Sequence, residues 1–286
     1  MISLREALGE AVRDGRAIAH FNITGIDMVH AVVRAARKVG DPVIIGVSEG
    51  ERDFFGVRQI VAVVDSLRKE TGHPIFLNAD HTYSVERVEE VIDAGFDAVI
   101  YDGAKLSFEE NVAHMKASVA YARVSGRDVL LEGELGYIGG SSKVLDAIPE
   151  GVTPESMTTP EQARTFVEET GIDLFSPSVG NIHGMLRHAP NPRLDISRVK
   201  EIAEVCGKPL VLHGGSGTSD EDFRAAIDAG IRIVHVSTEL RRAYRETLDE
   251  TFRANPDEVA PYKYLQPGVE AVEKVAEERM RLFGRK

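Results

Sequence analysis

Short apolar runs alternate with amphipathic stretches eight times along this chain. The expected strands cover residues 17–23, 42–48, 74–80, 97–102, 128–135, 173–178, 209–213 and 231–237. Several are continuously apolar, such as Val43-Ile44-Ile45-Gly46-Val47 and Pro209-Leu210-Val211-Leu212. Continuous runs mark strands covered on both faces, as in a parallel sheet. Helices are expected at 27–39, 55–70, 84–94, 159–170, 195–206, 220–229 and 238–254, with a last one at 269–283. Their punctuation agrees: Ser84 precedes one and Gly95 follows it, and Thr159-Pro160-Glu161 opens another that Gly171 ends. Eight strand–helix units in order predict an α/β protein, a (β/α)8 TIM barrel with an extra C-terminal helix. A doubly wound open sheet is the alternative. A barrel of this kind needs about 250 residues, and the chain has 286. No linker, low-complexity run or abrupt charge change divides it, so residues 1–286 are expected to form one domain. The stretch 136–158 is long for a connection and is expected to be a lid or a disordered loop.

Composition narrows the partners. The formal charge of −12 disfavours nucleic acid and anionic membranes. It leaves a phosphorylated substrate open, because local amide donors and a metal outweigh a global field. A single cysteine, Cys206, rules out an intrachain disulfide and suits the cytoplasm. No apolar run approaches the roughly 18 residues of a membrane span, and no signal-peptide stretch is expected.

In a barrel the active site lies at the C-terminal ends of the strands. Polar residues collect there: Ser48; Asp80-His81; Asp102; Glu132 and Glu134; His183; His213-Gly214-Gly215-Ser216-Gly217; Ser237-Thr238. Each alone has an ordinary reading, such as a hydrogen-bonded histidine, a glycine turn or a helix-capping aspartate. Their coincidence on one rim changes that. His81, His183 and His213 come from three different units, and three imidazoles with an open fourth position make a catalytic zinc site. The Gly214–Gly217 turn follows the seventh strand, where barrels often bind phosphate. It is either an anion cradle or only a turn. Thr238 opens the next helix, whose first amides favour an anion. Asp80 is either a general acid or base beside the metal, or a capping residue.

These residues resemble the class II, zinc-dependent fructose- and tagatose-bisphosphate (ketose-bisphosphate) aldolase family over nearly the whole chain. The resemblance rests on Ala19-His20-Phe21-Asn22, Ser48-Glu49-Gly50, Ala79-Asp80-His81, Asp102-Gly103 and Glu132-Gly133-Glu134-Leu135-Gly136. Gly180-Asn181-Ile182-His183-Gly184 and Leu212-His213-Gly214-Gly215-Ser216-Gly217 are its most specific pieces. The resemblance implies an aldehyde-lyase that splits a ketose phosphate into dihydroxyacetone phosphate and an aldehyde through a zinc-stabilised enediolate. It implies that His81, His183 and His213 bind zinc and that Asp80 gives a proton to the oxygen freed at the cleaved carbon. Asp102 and Glu134 match positions that hold a second divalent metal in some members. Ser48, Gly184, Gly214, Gly215 and Ser216 would hold the dihydroxyacetone phosphate half, joined by His235, Ser237 and Thr238. Homodimers or homotetramers are usual in the family, and some members need a monovalent cation.

The chain departs from the family at named positions. His235 stands where Asn is common, Thr82 where Gly often follows the metal histidine, and Ala104 where Ser is usual. The acidic residues expected after Gly139-Gly140 are Ser141-Ser142, with Lys143 next, so Asp146 or Glu150 would have to move the carbon-bound proton. These changes leave the substrate open. A deoxy or modified sugar phosphate is one alternative, and a sugar-phosphate-binding member with weakened catalysis is another.

Overall fold

The eight expected strands close on themselves. The computed structural model describes residues 2–140 and 142–285. The strands are β1 (Ile18–Asn22), β2 (Val43–Val47), β3 (Ile75–Thr82), β4 (Ala98–Tyr101), β5 (Leu130–Leu135), β6 (Leu174–Pro177), β7 (Leu210–Leu212) and β8 (Ile231–Val236). Each pairs in parallel with the next, and β8 pairs with β1 to complete the barrel. The open sheet is thereby excluded.

The helices are α1 (Leu4–Asp14), α2 (Ile26–Val39), α3 (Glu49–Phe55), α4 (Val57–Thr71), α5 (Val85–Ala94), α6 (Phe108–Val124), α7 (Pro160–Thr170), α8 (Ile196–Cys206), α9 (Asp220–Ala229), α10 (Thr238–Ala254), α11 (Pro261–Tyr264) and α12 (Gln266–Gly284). The expected C-terminal helix is α12, packed against α2 and α10. Four helices lie outside the expected set: α1, α3, α6 and α11. The inward stripe of α6 mixes Val112, Met115 and Val119 with Asn111, Ser118 and Ala122, which weakens its amphipathic signal. In the long stretch after β5, Ser141 lies outside the described residues. The Val144–Leu145 segment of this stretch pairs in parallel with Met185–Leu186.

Successive side chains of a strand point to opposite faces. Outward residues such as Phe21, Ile45, Leu77, Val99, Leu131, Phe175, Leu212 and Val234 join the core shared with the helices. The lowest inward layer takes one apolar residue from every strand: Ile18, Ile44, Phe76, Ala98, Leu130, Leu174, Val211 and Ile233. Helix α1 closes this end with Leu4, Ala7, Leu8 and Ala11. A capping box between Ser3 and Glu6 starts it, and Gly15 in the left-handed region ends it. Leu8→Ala opens a cavity under this layer and is expected to cost about 2–5 kcal/mol, measured by urea unfolding.

One step further along the strands the inward residues turn polar: His20 on β1, Asn78 on β3, Glu132 on β5, Ser176 on β6 and His235 on β8, all buried. The barrel therefore has an apolar floor and a polar upper half, and the site lies in the latter.

Candidate active site

Asp80 and His81 are neighbours in β3, so strict alternation would turn them to opposite faces. The β3–β4 register shifts between Ala79 and Thr82, and His81 has φ of +41°. This irregularity lets both side chains enter the same cavity. It is held from beneath by Arg52 of α3, which is fully buried. Its Nη1 donates to the carbonyls of Val47 (2.7 Å) and Asp80 (3.0 Å) and its Nη2 to the Thr82 hydroxyl (3.0 Å). The Thr82 hydroxyl is thus engaged by Arg52 and does not line the cavity.

His81, His183 and His213 converge. One nitrogen from each lies within 4.8 Å of the others. His81 Nε2 and His213 Nδ1 are 3.3 Å apart, the separation of two ligands in a tetrahedral shell with bonds of about 2.0–2.1 Å. Each ring has its other nitrogen engaged. His81 Nδ1 faces Asp102 Oδ2 at 2.9 Å, His183 Nδ1 faces the Gly139 carbonyl at 2.7 Å, and His213 Nε2 faces Glu132 Oε1 at 2.8 Å. An acceptor on one nitrogen fixes the tautomer and leaves the other lone pair for a metal. The donor set fits a divalent ion with three imidazole ligands.

The charge balance fits as well. Burial opposes a proton on His81, but Asp80, Asp102 and Glu134 raise its pKa to about 10. Burial and repulsion from Asp102 push Glu134 up to about 8. Burial also works against charge on Asp80, but His81 and His235 outweigh it and hold the carboxyl well below its usual range. Burial and the other two rings keep His183 neutral, at about 3. The mutual repulsion of Asp102 and Glu134 is one that a nearby cation relieves. Asp102 and Glu134 stand 2.9 and 3.5 Å from His81 Nδ1, so they form with His81 a second group of convergent donors.

The cavity has two sections that share Asn22, Asp80, His81, Ser142 and His183. Gly184, Gly214, Ser216, His235, Ser237 and Thr238 line the inner one. Gly214 has φ of +62°, and a side chain there would strike the Ile182 carbonyl. The Ser216 hydroxyl accepts from the Ser237 and Glu239 amides, at 3.1 and 3.2 Å, which ties the turn to the start of α10. Gly215 does not line either section. Its amide donates to the His235 carbonyl at 3.0 Å. Ser48 lies apart from this group, on the outer section, with its hydroxyl donating to Glu51 at 2.8 Å.

The outer section is bounded by Tyr83, Ala104, Lys105, Tyr137, Lys143 and Arg241. Neither Asp146 nor Glu150 reaches it. Asp146 pairs with Arg187 at 2.9 Å on an exposed surface, because the ribbon between residues 144–145 and 185–186 turns that part of the loop outward. Ser142 occupies the junction of the two sections.

Several residues that shape the site have no role assigned from the sequence: His20 and Asn22, present there only as part of the Ala19–Asn22 motif, and Glu51, Asn78, Lys105 and Arg241. Asn22 donates to Asp80 Oδ2 at 2.8 Å and to Glu51 Oε2 at 3.0 Å. Glu51 also pairs with Arg241. His20, Asn22 and Asn78 share the inward parity of Ile18 and Phe76, so strand alternation carried a signal for them. Glu51, Lys105 and Arg241 come from helices or loops, where no spacing marks them.

A family model described as fructose-bisphosphate aldolase class-II matches residues 2–286. The Bacillus subtilis (strain 168) protein named probable fructose-bisphosphate aldolase is 37% identical, covering 99% of this chain and 98% of its own. The fructose-bisphosphate aldolase of Geobacillus stearothermophilus is 34% identical, covering 99% and 97%. The crystal structure of the YdjI aldolase from Escherichia coli K12 superposes with a TM-score of 0.84 at 29% identity, covering 99% and 98%. With these relatives spanning the whole barrel, the chain belongs to the class II fructose-bisphosphate aldolase family and is an aldolase.

Proposed function

We propose that this aldolase reversibly cleaves fructose 1,6-bisphosphate or tagatose 1,6-bisphosphate to dihydroxyacetone phosphate and an aldehyde, with Zn2+ as the catalytic ion. The observation that carries this reading is the set of three imidazole nitrogens, each freed by an acceptor on its other side, beside the buried Asp80. His81, His183 and His213 would hold the ion, which supplies a Lewis acid that stabilises negative charge developing on the substrate's oxygens. Asp80, held by Asn22, takes the proton from the hydroxyl of the cleaved carbon as that oxygen becomes the aldehyde carbonyl, and gives it back to the same oxygen in the condensation direction. The inner section takes the dihydroxyacetone phosphate half. Gly184, Gly214, Ser216, Ser237 and Thr238 surround its phosphate at the N-terminus of α10, where the first amides favour an anion. Gly215 supports that turn through β8, His235 borders the same half, and Ser48 borders the reacting bond from the outer section. Asp102 and Glu134, beside His81, offer carboxylate oxygens for a second divalent ion. We further propose one domain over residues 1–286, a homodimer or homotetramer, a cytoplasmic location and an optional monovalent cation. The net charge of −12 and the lack, among the described residues, of a helix long and apolar enough to cross a membrane accord with this.

The outer section favours a second reading, in which the same chemistry acts on a deoxy or otherwise modified ketose phosphate. Ala104, Lys105, Ser142 and Lys143 are grouped there. A coupled assay for dihydroxyacetone phosphate over a panel of ketose phosphates tests both. Rapid release from fructose 1,6-bisphosphate rejects the second reading. Turnover confined to a modified sugar phosphate rejects the first, and no release from any member sinks both.

A further inference from the structure

The polar layer beneath the site contains two stacked histidines. The rings of His20 and His235 lie 3.4 Å apart between centroids and only 4° from parallel. Both are buried. His20 is fixed from two sides. Asn78 Nδ2 donates to its Nε2 at 3.1 Å, and its ring covers Gly46 so closely that a Cβ there would lie 2.0 Å from Cε1. His235 is clasped between His20 and the tilted ring of His213, whose centroid is 4.0 Å away. Its Nδ1 faces Asp80 Oδ1 at 3.3 Å, while Asn22 holds the other carboxylate oxygen.

Donor atoms of His20, Asp80 and His235 lie close enough together to suggest an ion site. The stacking argues against one. A ring nitrogen's lone pair lies in the plane of its ring, and two parallel planes direct their lone pairs alongside each other and not toward a common point. The arrangement suits mechanical support instead.

We propose that His20 is a positioning residue for Asp80 and acts through His235. The stack sets the plane of His235, and His235 with Asn22 sets the carboxylate that accepts the proton in cleavage. This rests on the role given to Asp80 under the proposed function. Two partial reactions separate the roles. Cleavage needs Asp80 to take up the proton of the hydroxyl at the cleaved carbon. Exchange of the carbon-bound hydrogen of dihydroxyacetone phosphate with solvent uses the ion and the inner section but not that proton.

The experiment compares wild type with His20→Leu, using protein of equal zinc content and matching circular dichroism. The variant is expected to lose about tenfold or more in cleavage kcat relative to its loss in exchange, with KM little changed, since misplacing a reacting group by about 1 Å costs up to ~10²-fold. His20→Gln keeps a polar partner for Asn78 while removing the ring, and it is expected to show the same split if the leucine variant folds poorly. Equal losses in cleavage and exchange, or none in either, overturn the proposal. A wild-type enzyme inactive in both reactions sinks the functional reading instead. The crystal structure of the variant then decides: a displaced His235 ring and Asp80 carboxylate support the positioning role, and an unchanged pair overturns it.

Discussion

Exhaustive removal of divalent metal is expected to lower cleavage by roughly 10³-fold or more, because a Lewis acid contributes several kcal/mol and each 1.36 kcal/mol is tenfold. Addition of Zn2+ or Co2+ is expected to restore it. The measurement is cleavage rate against metal content by elemental analysis, before and after reloading. The barrel itself should survive the treatment, since its apolar floor and the α1 plug lie at the opposite end from the histidines. His183→Ala should match the stripped enzyme even with zinc present. Glu132→Gln should weaken metal binding by about 10–100-fold, because Glu132 orients His213 and makes it a better donor. Full activity in metal-free protein would remove the electrophile from the mechanism.

Asp80→Ala is expected to lower kcat by about 10²–10⁴-fold, the range for a positioned general base, with zinc content and KM near those of wild type. Steady-state kinetics on the best substrate of the panel provide the test. Asp80→Asn is the stricter comparison, because it keeps the shape and a partner for Asn22 but cannot take up a proton. If either variant cleaves at the wild-type rate, Asp80 is only a structural member of the polar layer.

Much of this arrangement was legible in the chain. The strands were readable because they are buried on both faces, which makes several of them, such as Val43–Val47 and Leu210–Leu212, continuously apolar. The three histidines and Asp80 were readable because strand ends in a barrel share one rim. Helix α6 was harder to see, since Asn111 and Ser118 occupy its buried stripe and Asn111 donates to the Glu134 carbonyl there. Asp146 and Glu150 looked available for proton transfer by their distance along the chain, but the paired ribbon directs that part of the loop away from the cavity. Thr82, which stands where Gly often follows the metal histidine, has its hydroxyl held by Arg52.

The sequence by itself determined the parallel barrel and its closing C-terminal helix. It also determined the identity of the imidazoles, carboxylates and glycines available at the upper rim, because periodicity and strand ends are local properties. Only the tertiary structure decided how those groups serve the chemistry. The irregularity in β3 that turns both Asp80 and His81 inward, the acceptor behind each metal-facing ring and the His20–His235 stack all join segments far apart in the chain. Such contacts form only when the strands close, and no local spacing encodes them.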